Sequence, residues 1–199
     1  MLTLHLIRHG DTEASGDGVF CGDLDPPLTA TGLRQADALA AVTRTLALSA
    51  IYVSPKLRAR QTALPTTQAT GIAPAIEEGL REIGYGTWEG RKETEIKAAE
   101  PEAYAAWSLD PAIHSPPAGE SGYAIAARAL PVIERIRASN PSGNVLVVSH
   151  KATIRVVVCA LLGLHIGRFR DRIACPTASL TSFELGDRGP MLVRIGQRA

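Results

Sequence analysis

Two histidines of this sequence stand where apolar runs end. Arg8 and His9 directly follow residues 2–7, and His150 directly follows residues 144–149. Runs of this length and composition predict buried strands, and the carboxyl ends of parallel strands are where open α/β sheets bind their ligands. An imidazole can act as a nucleophile or carry a proton, and a guanidinium offers a rigid fork of donors to an anion. The pattern therefore indicates a site that binds and attacks a phosphoryl group.

Two further residues are predicted to join this site. Arg58 falls in the first turn of a helix that follows the short strand 51–53, and Ser54 is the expected N-cap of that helix. Glu82 comes soon after a predicted third strand at 73–78. Both side chains are therefore expected at the same edge of the sheet as the histidines.

Phosphoryl transfer gives each of these side chains a role. His9 is the expected nucleophile, because a neutral imidazole attacks phosphorus and water then hydrolyses the phosphoramidate. Glu82 is the expected acid for the leaving oxygen. A protonated His150 would stabilise the charge that develops on the equatorial oxygens, and Arg8 and Arg58 supply the donors that a doubly charged phosphoryl group requires.

The remaining elements predict one α/β domain over residues 1–199. The predicted strands are 2–7, 51–53, 73–78, 144–148, 178–185 and 191–195, and the predicted helices start at Thr29 or Thr31 and cover 56–70, 121–139 and 152–162. This alternation predicts a three-layer α/β/α arrangement with a mostly parallel sheet, closed by an antiparallel edge of the last two strands. Residues 84–119 depart from the alternation and are expected to form a cap-like helical and loop excursion over the site.

Composition excludes several classes of function. The 21 Lys and Arg residues nearly cancel the 20 Asp and Glu residues, so no overall field attracts nucleic acid or a membrane surface. The three cysteines form no CxxC pair and the five histidines lack metal-ligand spacing, so neither a disulfide framework nor a metal site is expected.

No signal peptide is recognised, and the longest apolar run is about half of what a bilayer requires. A cytoplasmic location is the expectation.

The sequence resembles the histidine phosphatase (phosphoglycerate mutase-like) superfamily. Six blocks carry the resemblance in the order of that family: Leu6 to Thr12; Pro27-Leu28-Thr29 with Gly32 and Gln35-Ala36; Ser54-Pro55 with Arg58-Ala59 and Gln61-Thr62-Ala63; Leu80-Arg81-Glu82 with Gly86 and Trp88-Glu89-Gly90; Gly119-Glu120-Ser121; and Val148-Ser149-His150 with Ile154-Arg155. The resemblance implies that His9 becomes a phosphohistidine, that Glu82 donates and accepts the proton, and that no metal or other cofactor takes part.

Further substrate contacts are implied by the resemblance. Thr12 ends the first block, and the family's motif often continues to an asparagine that helps hold the phosphoryl group, where this chain has Ser15. Cys21 and Gly22 occupy a loop whose backbone N–H groups touch substrate in related enzymes. Lys151 replaces a glycine that the family usually has after the second histidine.

Lys151 and Arg155 could meet a carboxylate or a second phosphate on the substrate. Arg155 either reaches the substrate in this way or pairs with a carboxylate of the protein. A small anionic phosphoester is therefore the expected partner, and a homodimer is compatible with the sequence.

The phosphatase branch is favoured over two alternatives. Mutases of the family carry an Arg-His pair after the glutamate, where this chain has Ile83 and Gly84. A cofactor-dependent phosphoglycerate mutase is one alternative, and a phosphoryl-binding module without activity is the other. The expected function is a metal-independent phosphomonoesterase that acts on a small phosphorylated metabolite.

Overall fold

The computed structural model describes residues 1–16 and 18–198. Its strands are β1 (Leu2–Arg8), β2 (Leu48–Val53), β3 (Ala75–Ile76), β4 (Gly143–Ser149), β5 (Ser179–Gly186) and β6 (Gly189–Arg198). Its α-helices are α1 (Ala30–Thr43), α2 (Leu57–Thr70), α3 (Glu93–Ala99), α4 (Pro101–Leu109), α5 (Gly122–Ser139), α6 (Lys151–Leu161) and α7 (Phe169–Arg172). Short 3-10 turns at Glu13–Ser15, Arg44–Leu46, Glu78–Leu80, Gly86–Trp88 and Ile166–Arg168 complete the described elements.

The strands form one six-stranded sheet in the order β3-β2-β4-β1-β5-β6. The pairs β1 with β4, β2 with β4 and β2 with β3 are parallel, whereas β5 is antiparallel to both β1 and β6. This arrangement confirms the mostly parallel sheet and the antiparallel edge predicted from the sequence. Because Arg8 pairs with Ser149, the residues that follow β1 and β4 emerge side by side.

Helices cover both faces of the sheet because side chains alternate along each strand. Leu4 of β1 and Val145 of β4 belong to a large apolar core that includes the buried face of α5 and α6. Leu146, on the opposite face of β4, packs in a second core with residues of α1 and α2. The three-layer α/β/α architecture is therefore confirmed.

Two local predictions are corrected by the structure. The third strand is only Ala75–Ile76, and a 3-10 turn at Glu78–Leu80 lies between it and Glu82. Ser54 does not cap α2, which begins at Leu57; the backbone N–H of Leu57 donates instead to the carboxylate of Asp25, at 2.9 Å from each oxygen. A carboxylate at a helix N-terminus compensates the free N–H groups there, so a distant loop supplies this cap.

Residues 84–119 contain α3 and α4 and carry an aromatic cluster of their own. Trp88 and Trp107 are buried there with their rings perpendicular and 5.4 Å apart, and Phe20 of the loop after β1 joins them. The cluster joins the excursion to that loop. None of the helices described in residues 1–16 and 18–198 is both long and apolar enough to span a membrane.

Candidate active site

A pocket of about 130 Å³ lies at the carboxyl edge of the parallel strands. This inner pocket is lined by Arg8, His9, Thr12, Ala14, Ser15, Gly18, Val19, Cys21, Arg58, Glu82, Tyr85 and Lys151. The structure thus brings together most of the side chains that the sequence singled out. His150 lies behind the lining and contacts His9, and Arg155 lines a neighbouring cavity.

His9 is oriented so that one ring nitrogen is fixed by the backbone. Its Nδ1 donates to the carbonyl oxygen of its neighbour Gly10 at 2.7 Å, which leaves Nε2 as the unprotonated nitrogen of a neutral ring. Burial, reinforced by the charges of Arg8 and Arg58, holds the His9 pKa well below its ordinary value. His9 therefore stays neutral near pH 7, as attack on phosphorus requires.

His150 lies beside His9, with ring centroids 5.2 Å apart. Its Nε2 is 2.7 Å from the hydroxyl of Ser54, and its Nδ1 has no hydrogen-bond partner among the described residues. Burial, and next the neighbouring His9, holds the His150 pKa well below its ordinary value. His150 is therefore neutral when no anion is bound beside it. A bound phosphoryl group would compensate a charge on this ring, and a protonated His150 during phosphoryl transfer stays a prediction.

Both arginines are anchored by hydrogen bonds from their terminal nitrogens to backbone carbonyl oxygens. Arg58 is almost completely buried and donates to the carbonyl oxygens of Leu24 (2.7 Å) and Gly22 (3.1 Å). Arg8 donates through Nη1 to the carbonyl oxygen of Cys175 at 2.8 Å, whereas its buried Nε has no partner within the part of the chain described. Both hold their remaining donors ready for an anion.

Glu82 is placed at the N-terminus of α6. Its carboxylate accepts from the backbone N–H groups of Ala152 and Ile83 at 3.1 Å and of Thr153 at 3.3 Å. The positive end of the helix dipole stabilises a carboxylate at this point. His150 and Glu82 are therefore both positioned by the start of α6, since this helix begins immediately after His150.

Arg128 of α5 fixes the chain on both sides of Glu82, a role that the sequence did not reveal. Its guanidinium donates to the carbonyl oxygens of Gly79 (2.8 Å), Arg81 (2.7 Å) and Glu82 (3.1 Å), and also pairs with the carboxylate of Glu120. The same carboxylate accepts from the side chain of Arg81 at 2.8 Å. The sequence block that contains Glu120 is the feature that points to this region.

The backbone N–H of Gly22 already has a hydrogen-bond partner within the protein. Its N–H donates to the carboxylate of Glu89 at 3.1 Å, and a Cβ at this position would lie 1.7 Å from the carbonyl oxygen of Ile83. The expected substrate contact at Gly22 therefore finds its donor already occupied. Cys21 does line the inner pocket, and burial raises the pKa of its thiol.

Thr12 and Ser15 form one side of the inner pocket. The hydroxyl of Ser15 accepts from the backbone N–H of Thr12 at 3.0 Å and lies 2.9 Å from its hydroxyl. This contact closes a single turn after β1. The serine that replaces the usual asparagine thus orders its own loop.

The described residues contain no group of three or more His, Cys, Asp or Glu side chains arranged to hold a metal ion.

Comparisons with known proteins identify phosphatases of similar sequence and fold. Phosphoserine phosphatase 1 of Hydrogenobacter thermophilus is 31% identical over 195 residues, which are 98% of this chain and 92% of that protein. The adenosylcobalamin/alpha-ribazole phosphatase of Salmonella typhimurium is 31% identical over 89% of each chain. The solved mycobacterial glucosyl-3-phosphoglycerate phosphatase in complex with VO3 superposes with a TM-score of 0.89 at 29% identity, covering 96% of this chain and 97% of that one.

The match extends over almost the whole sequence. Residues 4–198 fit the family model described as histidine phosphatase superfamily, branch 1. The fit therefore includes all five residues His9, Arg8, Arg58, Glu82 and His150. The chain belongs to the histidine phosphatase superfamily and is a phosphatase of its branch 1.

Proposed function

We propose that this protein hydrolyses a small phosphorylated metabolite through a phosphohistidine at His9. The observation that carries the proposal is the state of His9: a buried, neutral imidazole whose Nδ1 is held by Gly10, so that Nε2 is free beside two arginines. The names of the relatives support a small-molecule substrate, because they act on phosphoserine, alpha-ribazole and glucosyl-3-phosphoglycerate phosphates.

The first step transfers the phosphoryl group to the protein. Nε2 of His9 forms a bond to phosphorus while the bond from phosphorus to the ester oxygen breaks. The leaving oxygen takes a proton from the carboxylic acid form of Glu82 and departs as an alcohol. Arg8 and Arg58 stabilise the equatorial oxygens, and His150 offers its unpartnered Nδ1 to the same group.

The second step returns the protein to its starting state. The Glu82 carboxylate accepts a proton from water while the water oxygen attacks phosphorus. The bond between phosphorus and Nε2 breaks, and inorganic phosphate leaves. Thr12, Ser15 and Cys21 line the space in which this water and the phosphoryl oxygens lie.

A trapping experiment tests the proposal. The protein is mixed with a small phosphoester labelled with radioactive phosphorus and quenched, and protein-bound label is measured with and without acid treatment, which cleaves phosphohistidine. We expect acid-labile label on the wild type and none on His9→Ala. The matched control is His114→Ala, which removes an exposed histidine outside the inner pocket. Undiminished label on His9→Ala would refute the assignment.

The alternatives are separated by observations at the same site. Where mutases carry an Arg-His pair, Ile83 is completely buried in the apolar core and contributes no polar group. A binding module without activity would release no phosphate from p-nitrophenyl phosphate. We therefore expect release of phosphate in the presence of a chelator, without added bisphosphoglycerate.

A further inference from the structure

A second cavity opens beside the inner pocket. This outer chamber has a volume of about 150 Å³ and lies between the aromatic residues Tyr85 and Trp107 and the cations Lys151, Arg155 and Arg170. Tyr85 and Lys151 line both cavities. A phosphoester bound in the inner pocket would therefore direct its alcohol part into the outer chamber.

The cations of the outer chamber have no counter-ion within residues 1–16 and 18–198. The ion pairs there involve other residues, and neither Lys151, Arg155 nor Arg170 belongs to one. Burial lowers the pKa of Lys151, and the charges of Arg155 and Arg8 lower it further. Burial is also the main cause that lowers the pKa of Arg155, and the charge of Arg8 adds to it. Partly buried charges without a partner are costly, so an anion in this chamber would stabilise them.

Two residues that line this chamber each have a buried donor without an acceptor. Nε of Arg155 and Nε1 of Trp107 have no hydrogen-bond partner among the described residues, and Trp107 is only 3% exposed. Arg170 stacks on the Trp107 ring with its guanidinium carbon 3.8 Å from the centroid, which holds that cation at the chamber. The donors and charges thus converge on one place.

The acidic and hydroxyl groups that line the chamber in the described part of the chain form no ion pair with these cations. Glu93 lines the chamber, but its carboxylate accepts hydrogen bonds from Lys97 and from the hydroxyl of Tyr104. Burial raises the pKa of Tyr85, whose hydroxyl therefore stays neutral. An ammonium group would meet three cations here, and the Glu93 carboxylate is already paired with Lys97.

We infer that the outer chamber is an anion subsite for the alcohol part of the substrate, so that the preferred phosphoester carries a second anionic group and no ammonium. Arg155 and Trp107 donate to that anion, and Lys151 and Arg170 neutralise it. This inference rests on the proposed function and narrows it to one class of substrate. Lys151 and Arg155 therefore act as specificity residues, in agreement with the expectation from the sequence.

Three phosphoesters of the same chain length test the inference. We measure kcat/KM for 3-phosphoglycerate, which carries a carboxylate, and for glycerol 3-phosphate, which has a hydroxymethyl group in its place. The third ester is O-phosphoserine, which keeps the carboxylate and has an ammonium in place of the hydroxyl on the middle carbon. A charged hydrogen bond is worth enough for about a tenfold preference or more. The wild type should therefore prefer 3-phosphoglycerate over each of the other two by about tenfold or more. A bisphosphate arm, 1,3-propanediol bisphosphate, shows whether a second phosphate is accepted in place of the carboxylate.

Variants assign the preference to the chamber. In Arg155→Gln and Lys151→Gly, the ratio of kcat/KM for 3-phosphoglycerate over glycerol 3-phosphate should fall by about tenfold. Trp107→Phe keeps the stacked ring, removes the N–H, and should lower the same ratio. The control is Arg137→Gln, an exposed arginine of α5 outside both cavities, which should keep the ratio of the wild type.

The outcomes separate the two proposals. Equal kcat/KM for the carboxylate, bisphosphate and hydroxymethyl esters, or a ratio that the chamber variants leave unchanged, overturns the anion subsite. Hydrolysis of O-phosphoserine as fast as that of 3-phosphoglycerate overturns the exclusion of ammonium. A wild type that hydrolyses none of these esters and no p-nitrophenyl phosphate overturns the proposed function itself.

Discussion

The carboxylate of Glu82 accepts hydrogen bonds from three backbone N–H groups, and these contacts determine the expected effect of replacing Glu82. In Glu82→Gln the amide oxygen can still accept those hydrogen bonds, but the side chain can no longer give up or take a proton. We expect kcat for an alkyl phosphate to fall by about 10²- to 10⁴-fold, the usual contribution of general acid catalysis. The loss should be smaller for p-nitrophenyl phosphate, because nitrophenolate leaves without a proton.

Steady-state kinetics on both substrates check this prediction. Glu13→Gln is the matched control, since Glu13 is an exposed carboxylate in the turn after β1. The control should keep the rates of the wild type. If Glu82→Gln lost the same factor on both substrates, Glu82 would hold the site in place without transferring the proton.

At the scale of the elements, the placement of the histidines followed from sequence alone. Parallel strands share an edge, and the apolar runs before His9 and His150 are long enough to be recognised as strands. The structure places the two rings 5.2 Å apart for this reason. The same reasoning reached Glu82 with less support, because β3 contains only two residues and a 3-10 turn carries the chain to the acid.

Long-range side-chain contacts could not be predicted in this way. Ser54 has the sequence pattern of a helix cap, yet its hydroxyl bonds to His150 across the end of the sheet. Arg128 has the pattern of an exposed helix position, yet it turns back onto the segment that carries Glu82. Neither contact leaves a local signal, since the first depends on the pairing of β2 with β4 and the second on how α5 packs against the segment that carries Glu82. Sequence periodicity reports which face is apolar, and it does not report such polar partners.

Arg128 provides a prediction at this scale. Its side chain is 14% exposed and pairs with Glu120, which is 18% exposed, so removing it leaves a partly buried carboxylate without its main partner. Arg128→Met should lower the free energy of unfolding by about 3 kcal/mol. It should also lower kcat for the alkyl phosphate more than for p-nitrophenyl phosphate, because the backbone of Glu82 loses a donor.

Two further variants identify the cause. Arg128→Lys keeps the positive charge, but a single ammonium cannot reach all the acceptors that the guanidinium binds. Its stability and its kcat should therefore lie between those of the wild type and of Arg128→Met. Arg135 lies in the same helix as Arg128, is 59% exposed and forms an ion pair with Glu77. Arg135→Met removes that exposed ion pair and should lower the free energy of unfolding by no more than about 1 kcal/mol. Equal losses of kcat on both substrates would show that Arg128 supports the fold without positioning the acid.

At the scale of the whole molecule, a nearly balanced composition hides a local excess of positive charge. The formal net charge is +1 at pH 7, yet Arg8, Lys151, Arg155 and Arg170 converge on two adjoining cavities. The protein as a whole therefore does not attract polyanions, while the inner pocket and the outer chamber favour a small anion with more than one charge. The same burial that concentrates these charges also keeps the neighbouring histidines neutral.

Three buried histidines should make the fold sensitive to mild acid. Burial is the main cause that lowers the pKa of His5, His9 and His150 in the folded protein. In the unfolded chain each histidine has the ordinary pKa of about 6.5. As the pH falls below that value, the unfolded chain binds protons that the folded protein does not bind, so the free energy of unfolding falls until the lowered folded pKa is reached.

Denaturant unfolding at about pH 7 and at about pH 5 measures this effect, because each such histidine contributes up to about 1.4 kcal/mol per pH unit within that window. The carboxylates of Glu93 and Glu120, whose pKa values are lowered, lose their contribution only at more acidic pH. His5→Gln should make the fall in stability with pH shallower, by one third at most, since the pKa of His5 is lowered less than those of His9 and His150. Ser182→Ala removes the hydroxyl 2.8 Å from the His5 ring but keeps the imidazole, so it should lower stability at both pH values and keep the slope. A stability that stays constant or rises between pH 7 and pH 5 would contradict the burial of these neutral rings.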